Sequence, residues 1–291
     1  MPRSGTNLSH KDGKVNIEKA RAKFHKELAK SILLVIDGVP TFADKANDLS
    51  KRISEALLTR IPHTVCKTKP KGQTLGSTFE KVCQQFLEDT FPEYGHLRPG
   101  KWSFGGMKNI AAFEQYAHLT ALADLIESNA EIKASLGGDY IIKPDIVITR
   151  DPEADEFINT NDKLVTKNLA VHASLRKKNN ERSLLHASIS CKWTMRSDRA
   201  QNSRSEALNL TRNRKGRVPH IVVVTAEPLP SRLASLCLGT GDIDCVYHFA
   251  LHELVESVES IGAQDAAELL DTMIQGHRLR DISDLPLDLS V

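Results

Sequence analysis

The sequence predicts an α/β protein in which a mixed central β-sheet is flanked by helices. Two observations carry this expectation. Short apolar runs bounded by turn residues, "LLHASISCKW" and "HIVVVTAEP" the clearest, have the length of buried strands. Between them lie longer stretches whose apolar residues recur every three or four positions, and the two kinds alternate irregularly along the chain. At 291 residues and 40% hydrophobic content the chain has material for a sizeable core. No repeat, low-complexity linker or break in composition divides it. Residues 1–20 are polar and expected to be loose, and 21–291 to form one domain.

Taken in order, "ADKANDLSKRISEALL" places Leu49, Ile53 and Leu57 four apart on one helix face. "KGQTLGSTFEKVCQQFLEDTF" reads as a loop and then a helix. Ser77 with Glu80 three residues on has the capping-box pattern, and Phe79, Val82, Cys83, Phe86 and Leu87 supply the apolar stripe. A long helical stretch follows from about Asn109 to Ala134, ended by Gly137 and Gly138. "DYIIKPDIVITRD" is a strand pair or one bent strand, with Asp145 at the head of its apolar run. In "LLHASISCKW", Leu185, Ala187, Ile189 and Cys191 alternate with His186, Ser188, Ser190 and Lys192, the two faces of a strand. "RSDRAQNSRSEALNLTRNRKG" turns to helix, capped by Ser197 or Asp198, with basic residues in its last turn and Gly216 as its stop. "HIVVVTAEP" is a buried strand, and "IDCVYHFALHELVESVES" a short strand running into a helix.

Composition excludes several classes. No apolar run approaches the ~20 residues of a membrane helix, and the N-terminus lacks the apolar segment of a signal peptide, so a cytoplasmic protein is expected. Five cysteines, odd in number and without a CxxC pair, argue for buried thiols rather than disulfides or zinc. No Gly-rich phosphate loop or Ser-His-Asp arrangement points to a small-molecule enzyme. Net charge is only +2, but it is unevenly spread. Between Lys192 and Arg217 eight basic residues stand against two acids, Asp198 and Glu206, a focus of positive charge that suits a phosphate backbone.

Asp145 and Lys192 lie at the ends of two apolar strands. A carboxylate and a lysine facing one cleft are the working parts of a metal-dependent phosphodiesterase. The carboxylate holds Mg²⁺ against the scissile phosphate, and the lysine lies near the attacking water. Mg²⁺ needs further oxygen ligands. Two residues before Lys192, where nucleases of this kind commonly carry an acid, stands Ser190. Glu206, seven residues after Arg199 and on its helix face, can bring the second carboxylate, and Glu80 is a third candidate. Arg196, Asp198 and Arg199 open a helix. Arginine there can bond guanine O6 and N7 and aspartate can accept from cytosine N4, so the trio predicts a G/C-rich target. The spacing leaves open a strand-end turn for Asp145, solvated or capping glutamates, and a surface Arg–Asp salt bridge.

The segment "HASISCKWTMRSDRAQNSRSEALNLTRNRKGRVPHIVVVTAEPLPSRL" closely resembles NgoMIV-type restriction endonucleases, a type II group that cuts sites with a CCGG centre. The resemblance extends through "GQTLGSTFE", "QYAHLTALA", "DYIIKPDIVITR", "LGTGDIDCVYHFAL" and "RLRDISDLPLDLSV", from about Phe24 onward. It implies a restriction-endonuclease-like core, with Asp145 as metal-binding aspartate, Lys192 as catalytic lysine, Glu206 as a relocated active-site glutamate and Glu80 and Ser190 in the site. The Cys191 carbonyl becomes a metal ligand beside Asp145 and Glu206. Arg196, Asp198 and Arg199 would read the inner CCGG, Arg232 and Asp44 the outer pair, and Gln73 the minor groove. The implied reaction is Mg²⁺-dependent hydrolysis of double-stranded DNA at GCCGGC after the first G, leaving 5′-phosphates and four-base 5′ overhangs. The implied assembly is a homotetramer, two dimers each holding one duplex, with a cognate DNA methyltransferase as self-protection. A CCGG-centred nuclease with another outer pair and a DNA-binding protein without catalysis are the alternatives.

Overall fold

The computed structural model describes residues 16–66, 72–136, 142–239 and 241–291. The N-terminal half runs α1 (Ile17–Ser31), β1 (Leu34–Ile36), β2 (Val39–Pro40), α2 (Asp48–Leu58), β3 (Thr64–Val65), α3 (Gly72–Thr90), β4 (Trp102–Gly105), α4 (Leu119–Ser128), α5 (Ala130–Leu136) and β5 (Ile146–Arg150). It continues through α6 (Asp155–Ile158), β6 (Leu184–Lys192), α7 (Ser197–Asn213), β7 (His220–Thr225), α8 (Pro230–Cys237), β8 (Cys245–His248), α9 (Leu251–Ser260), α10 (Gln264–Gln275), β9 (Leu279–Asp281) and α11 (Leu285–Asp288).

The central sheet has the order β4-β5-β6-β7-β8-β9. The pairs β4–β5 and β5–β6 are antiparallel and the remaining three parallel, so the sheet is mixed, as the sequence predicts. A small sheet, β2-β1-β3, sits apart. Helices α1 and α3 pack on each other, and α3 packs on β6. Behind the end of β6 the buried Trp193 ring meets Phe79 at 5.2 Å, Phe42 at 6.0 Å and Phe249 at 6.1 Å. That hub ties α3, the loop after β2 and the loop after β8 to the residue next to Lys192.

Several local expectations change. Helix α3 begins at Gly72, so Ser77 is internal, donating from Oγ to the Thr74 carbonyl, and caps nothing. The Asn109–Ala134 stretch is not one helix. It opens with two short 3₁₀ turns, then α4 and α5 separated at Asn129. The Gln115 side chain explains the break: it donates to the Leu185 carbonyl (2.7 Å) and accepts from Leu185 N–H (2.9 Å), serving the start of β6 instead of a helix. Gly137 and Gly138 lie outside the described residues. Arg196, not Ser197 or Asp198, holds the N-cap position of α7, without a side-chain capping bond. Of "DYIIKPDIVITRD", one strand forms, beginning at Ile146; Asp139, Tyr140 and Ile141 lie outside the described residues. Helix α1 starts at Ile17, inside the polar segment, because Asn16 accepts from the Glu18 and Lys19 amides. Cys83, Cys191, Cys237 and Cys245 are buried and Cys66 is half-buried. No described helix is long and apolar enough to cross a membrane.

Arg21 fixes α1 to the far end of the sheet. Its guanidinium bonds both oxygens of Glu253 and both of the fully buried Asp281, at 2.6–2.8 Å. Burial raises the Asp281 carboxyl, but Arg21 and the Ser283 donors outweigh it and hold the group at about 2. The stabilisation is therefore complete above the ordinary aspartate value near 3.9 and is lost as pH falls toward 2. Arg21→Ala strands a buried carboxylate and is expected to destabilise the fold by about 3–5 kcal/mol at neutral pH, read by denaturant unfolding. A loss below ~1 kcal/mol would show the network to be dispensable.

Candidate active site

The register of β5 on β6 builds the centre. Ile146 faces Ile189, so in this antiparallel pair Asp145 falls beside the Ser190–Cys191 peptide. Asp145 Oδ2 accepts from the Cys191 amide at 2.7 Å and from Lys192 Nζ at 2.9 Å. Gly106 permits the arrangement: a Cβ there would stand 2.3 Å from the Asp145 carbonyl oxygen. Both side chains of the pair are mostly shielded, with relative exposures of 17% for Asp145 and 19% for Lys192.

Lys192 is in register with Thr225, and the chain leaves both parallel strands on the same side, into α7 and α8. The carboxyl ends of parallel strands therefore deliver two helices to one crevice. A cleft of about 990 Å³ results. It gathers Glu80, Asp145, Cys191, Lys192 and Glu206 with Asp44, Arg196, Arg199 and Arg232. Ser190 does not line it; its Oγ is buried without a hydrogen-bond partner. Asp198 is exposed outside the lining. Gln73 falls in the first turn of α3, its side chain outside the described residues.

Electrostatics distinguish the carboxylates. Burial pushes Glu80 above the usual range and the Asp145 charge adds to it, against a smaller pull from Lys192. Burial likewise raises Glu206, opposed by Lys192 and supported by Asp145. Burial alone would lower the Lys192 ammonium, but Asp145 by charge and hydrogen bond, then Glu206, more than offset it and leave Lys192 raised. Three carboxylates thus share one ammonium in a partly dehydrated corner. That donor set of hard oxygens, short of positive charge, fits a divalent cation. No group of three or more His, Cys, Asp or Glu side chains that could hold a metal occurs among the described residues, so backbone or water oxygens are needed to complete a shell. Cys191 turns its buried thiol toward Cys83, and burial raises that thiol far above its usual value.

In the same cleft Arg199 donates from Nη1 to the Thr194 carbonyl (3.1 Å) and hydroxyl (3.0 Å). The surface salt bridge that spacing allowed is absent: among the described residues no ion pair joins Asp198 to Arg196 or Arg199. Arg232 pairs with Asp44 and donates to the Met195 carbonyl at 3.1 Å. Reading the sequence missed Glu227, whose buried carboxylate lies 3.7 Å from Arg232 Nη1. The available signal was an acid directly following the apolar run "HIVVVTA".

A mixed sheet that brings strand-end Asp145 and Lys192 together, with helix-borne glutamates and an arginine-rich rim, defines a restriction-endonuclease-like nuclease. The family model described as the NgoMIV restriction enzyme matches residues 24–291, and the chain belongs to that family, the type II restriction endonucleases of NgoMIV type. It is 52% identical over 278 residues to the type II restriction enzyme NgoMIV of Neisseria gonorrhoeae, covering 93% of this chain and 97% of the relative. Among solved structures it aligns with the Type IIF restriction endonuclease Bse634I with cognate DNA. That alignment has a TM-score of 0.37 and 16% identity, and covers 86% of this chain and 92% of the other.

Proposed function

We propose that this restriction endonuclease hydrolyses both strands of double-stranded DNA at GCCGGC after the first G, with Mg²⁺, leaving 5′-phosphates and four-base 5′ overhangs. The observation that carries the reading is the single cleft shared by Asp145, Lys192 and Glu206 with Arg196, Arg199, Arg232 and Asp44. Asp145, Glu206 and the Cys191 carbonyl, with Glu80 behind them, would hold the Mg²⁺, which supplies charge stabilisation at the scissile phosphate and the leaving 3′ oxygen. Asp145 orients Lys192 through the 2.9 Å contact. The Lys192 ammonium donates to a non-bridging phosphate oxygen and positions the water that attacks phosphorus. Ser190 stands on the same strand face as Lys192, at the position where nucleases of this kind commonly carry an acid, with its hydroxyl buried outside the cleft lining.

Arg196, Asp198 and Arg199 read the inner CCGG, Arg232 and Asp44 the outer G·C pair, and Gln73 the minor groove. A single cytoplasmic domain does both jobs, reading and cutting being only a few residues apart in sequence. Because the site is a palindrome, a two-fold dimer reads it, and two such dimers form a homotetramer on two duplexes. A cognate methyltransferase protects the host's own sites.

A plasmid digest tests the reading, using DNA with no, one or two GCCGGC sites in Mg²⁺ or EDTA. Discrete Mg²⁺-dependent cuts at those sites, faster with two, are expected. Cuts at other CCGG-centred sites would overturn the outer-pair assignment, and binding without cutting would leave a DNA reader alone. The raised Glu80 and Glu206 carboxyls also set a pH dependence. They must ionise to hold a cation, so activity should rise with pH through a value above the ordinary glutamate range near 4.3. An acid limb of kcat/KM at or below that range would exclude both from the rate-limiting ionisation.

A further inference from the structure

The two groups of recognition candidates lie on different elements, yet one buried side chain touches the supports of both. Glu227, fully buried just beyond β7, accepts the Met195 amide on Oε2 at 2.7 Å and the Leu229 amide on Oε1 at 3.2 Å. Met195 immediately precedes Arg196, the residue that opens α7. Leu229 is the N-cap of α8, which carries Arg232. Arg232 itself approaches Glu227 Oε2 at 3.7 Å, donates to the Met195 carbonyl at 3.1 Å and holds Asp44. One carboxylate therefore fixes the starts of α7 and α8, while Arg232 ties the same Met195 residue to the loop carrying Asp44. Any shift of Arg232 on meeting a base moves a group that the Met195 peptide depends on.

We propose that Glu227 is a positioning residue that couples reading of the outer base pair by Arg232 and Asp44 to reading of the inner pairs from the start of α7. This rests on the recognition reading above. Glu227 lines no part of the cleft, so it acts through Met195 and Arg232 and contacts no DNA. A purely structural buried acid would alter stability without altering the ratio of affinities for different sequences. A coupler alters both selectivity ratios together.

The test measures binding in Ca²⁺ to duplexes carrying GCCGGC, ACCGGT or GCGCGC, for the wild-type protein and Glu227→Gln, with melting temperatures alongside. Glutamine keeps the shape but cannot accept two amides while facing a guanidinium as an anion. Both ratios, outer and inner, are expected to fall about tenfold or more in the variant, the size of one base-pair discrimination. Ratios within about twofold of wild type overturn the proposal, and so does loss of the outer ratio alone. A wild-type protein that binds all three duplexes equally overturns the recognition reading itself, and this inference with it.

The pH dependence of the wild-type protein gives a second test. Burial pushes the Glu227 carboxyl up to about 7, with nearby Asp44 adding to it, against the Met195 amide, Arg232 and the Leu229 amide. His248 on β8, against the Glu227 backbone, is held at about 4 by burial and stays neutral in this range. Asp44 is lowered by Arg232 and stays charged. As pH falls from 8 to 6 both wild-type ratios should therefore decline together, and Glu227→Gln should show no such slope. Wild-type ratios that stay flat across this range overturn the coupling even if the variant does not fold.

Discussion

Lys192→Ala should reduce DNA cleavage by about 10²–10³-fold while leaving site-specific binding in Ca²⁺ within a few-fold of wild type. The side chain stands where two demands meet. Its ammonium lies 2.9 Å from Asp145 and within the field of Glu206, so it is held charged at any working pH. The proposed base readers are anchored without it: Arg199 is held by Thr194, and Arg232 by Met195 and Asp44. Removing Lys192 takes away a donor to the phosphate and leaves three carboxylates facing the substrate's own negative charge. Ca²⁺, also oxygen-loving, restores the cation requirement of binding without restoring the reaction. Lys192→Arg is informative in the same assay, because a planar guanidinium keeps the charge but cannot occupy the same point. Concurrent loss of binding and cleavage in Lys192→Ala would reassign the residue to recognition.

How much of this was legible in the sequence depends on how local the cause is. Strands β6 and β7 declare themselves through alternation and an unbroken apolar run, and Asp145 and Lys192 follow because one heads the run of β5 and the other closes that of β6. The end of α7 is less so: Gly216, the expected stop, is left-handed but lies three residues beyond Asn213, and the extended Arg214 holds the C-cap position. The broken stretch after Asn109 was not legible. Its periodicity is helical, and only the tertiary pairing of Gln115 with Leu185, 70 residues away, overrides it. The same limit applies to the cleft. Asp44 and Arg232 are separated by 188 residues, and Glu227 gains its meaning only when β6 and β7 are side by side. Chain-distant polar contacts leave no spacing for a reader of sequence to recognise.

Arg199→Ala should abolish discrimination for the CCGG centre at a cost of about 1–3 kcal/mol per bidentate contact, incurred twice on a two-fold symmetric site. The setting of Arg199 supports the proposed base-reading role over simple phosphate attraction. Arg199 sits in the first turn of α7, exposed, with Nη1 committed to the Thr194 carbonyl and hydroxyl. A guanidinium pinned on one side presents its remaining donors in a fixed direction, which a pair of acceptors on one base edge can exploit and a diffuse charge does not need. The two roles separate in one titration series. A phosphate contact, when lost, weakens binding to every sequence equally and lowers the salt dependence of affinity by about one ion. A base contact, when lost, leaves GCGCGC binding unchanged and brings GCCGGC down to meet it. The second pattern is expected, and Arg199→Lys should reproduce most of it because a point charge cannot span two acceptors. A uniform loss across both duplexes would make Arg199 a backbone clamp and transfer the inner-pair reading to Arg196.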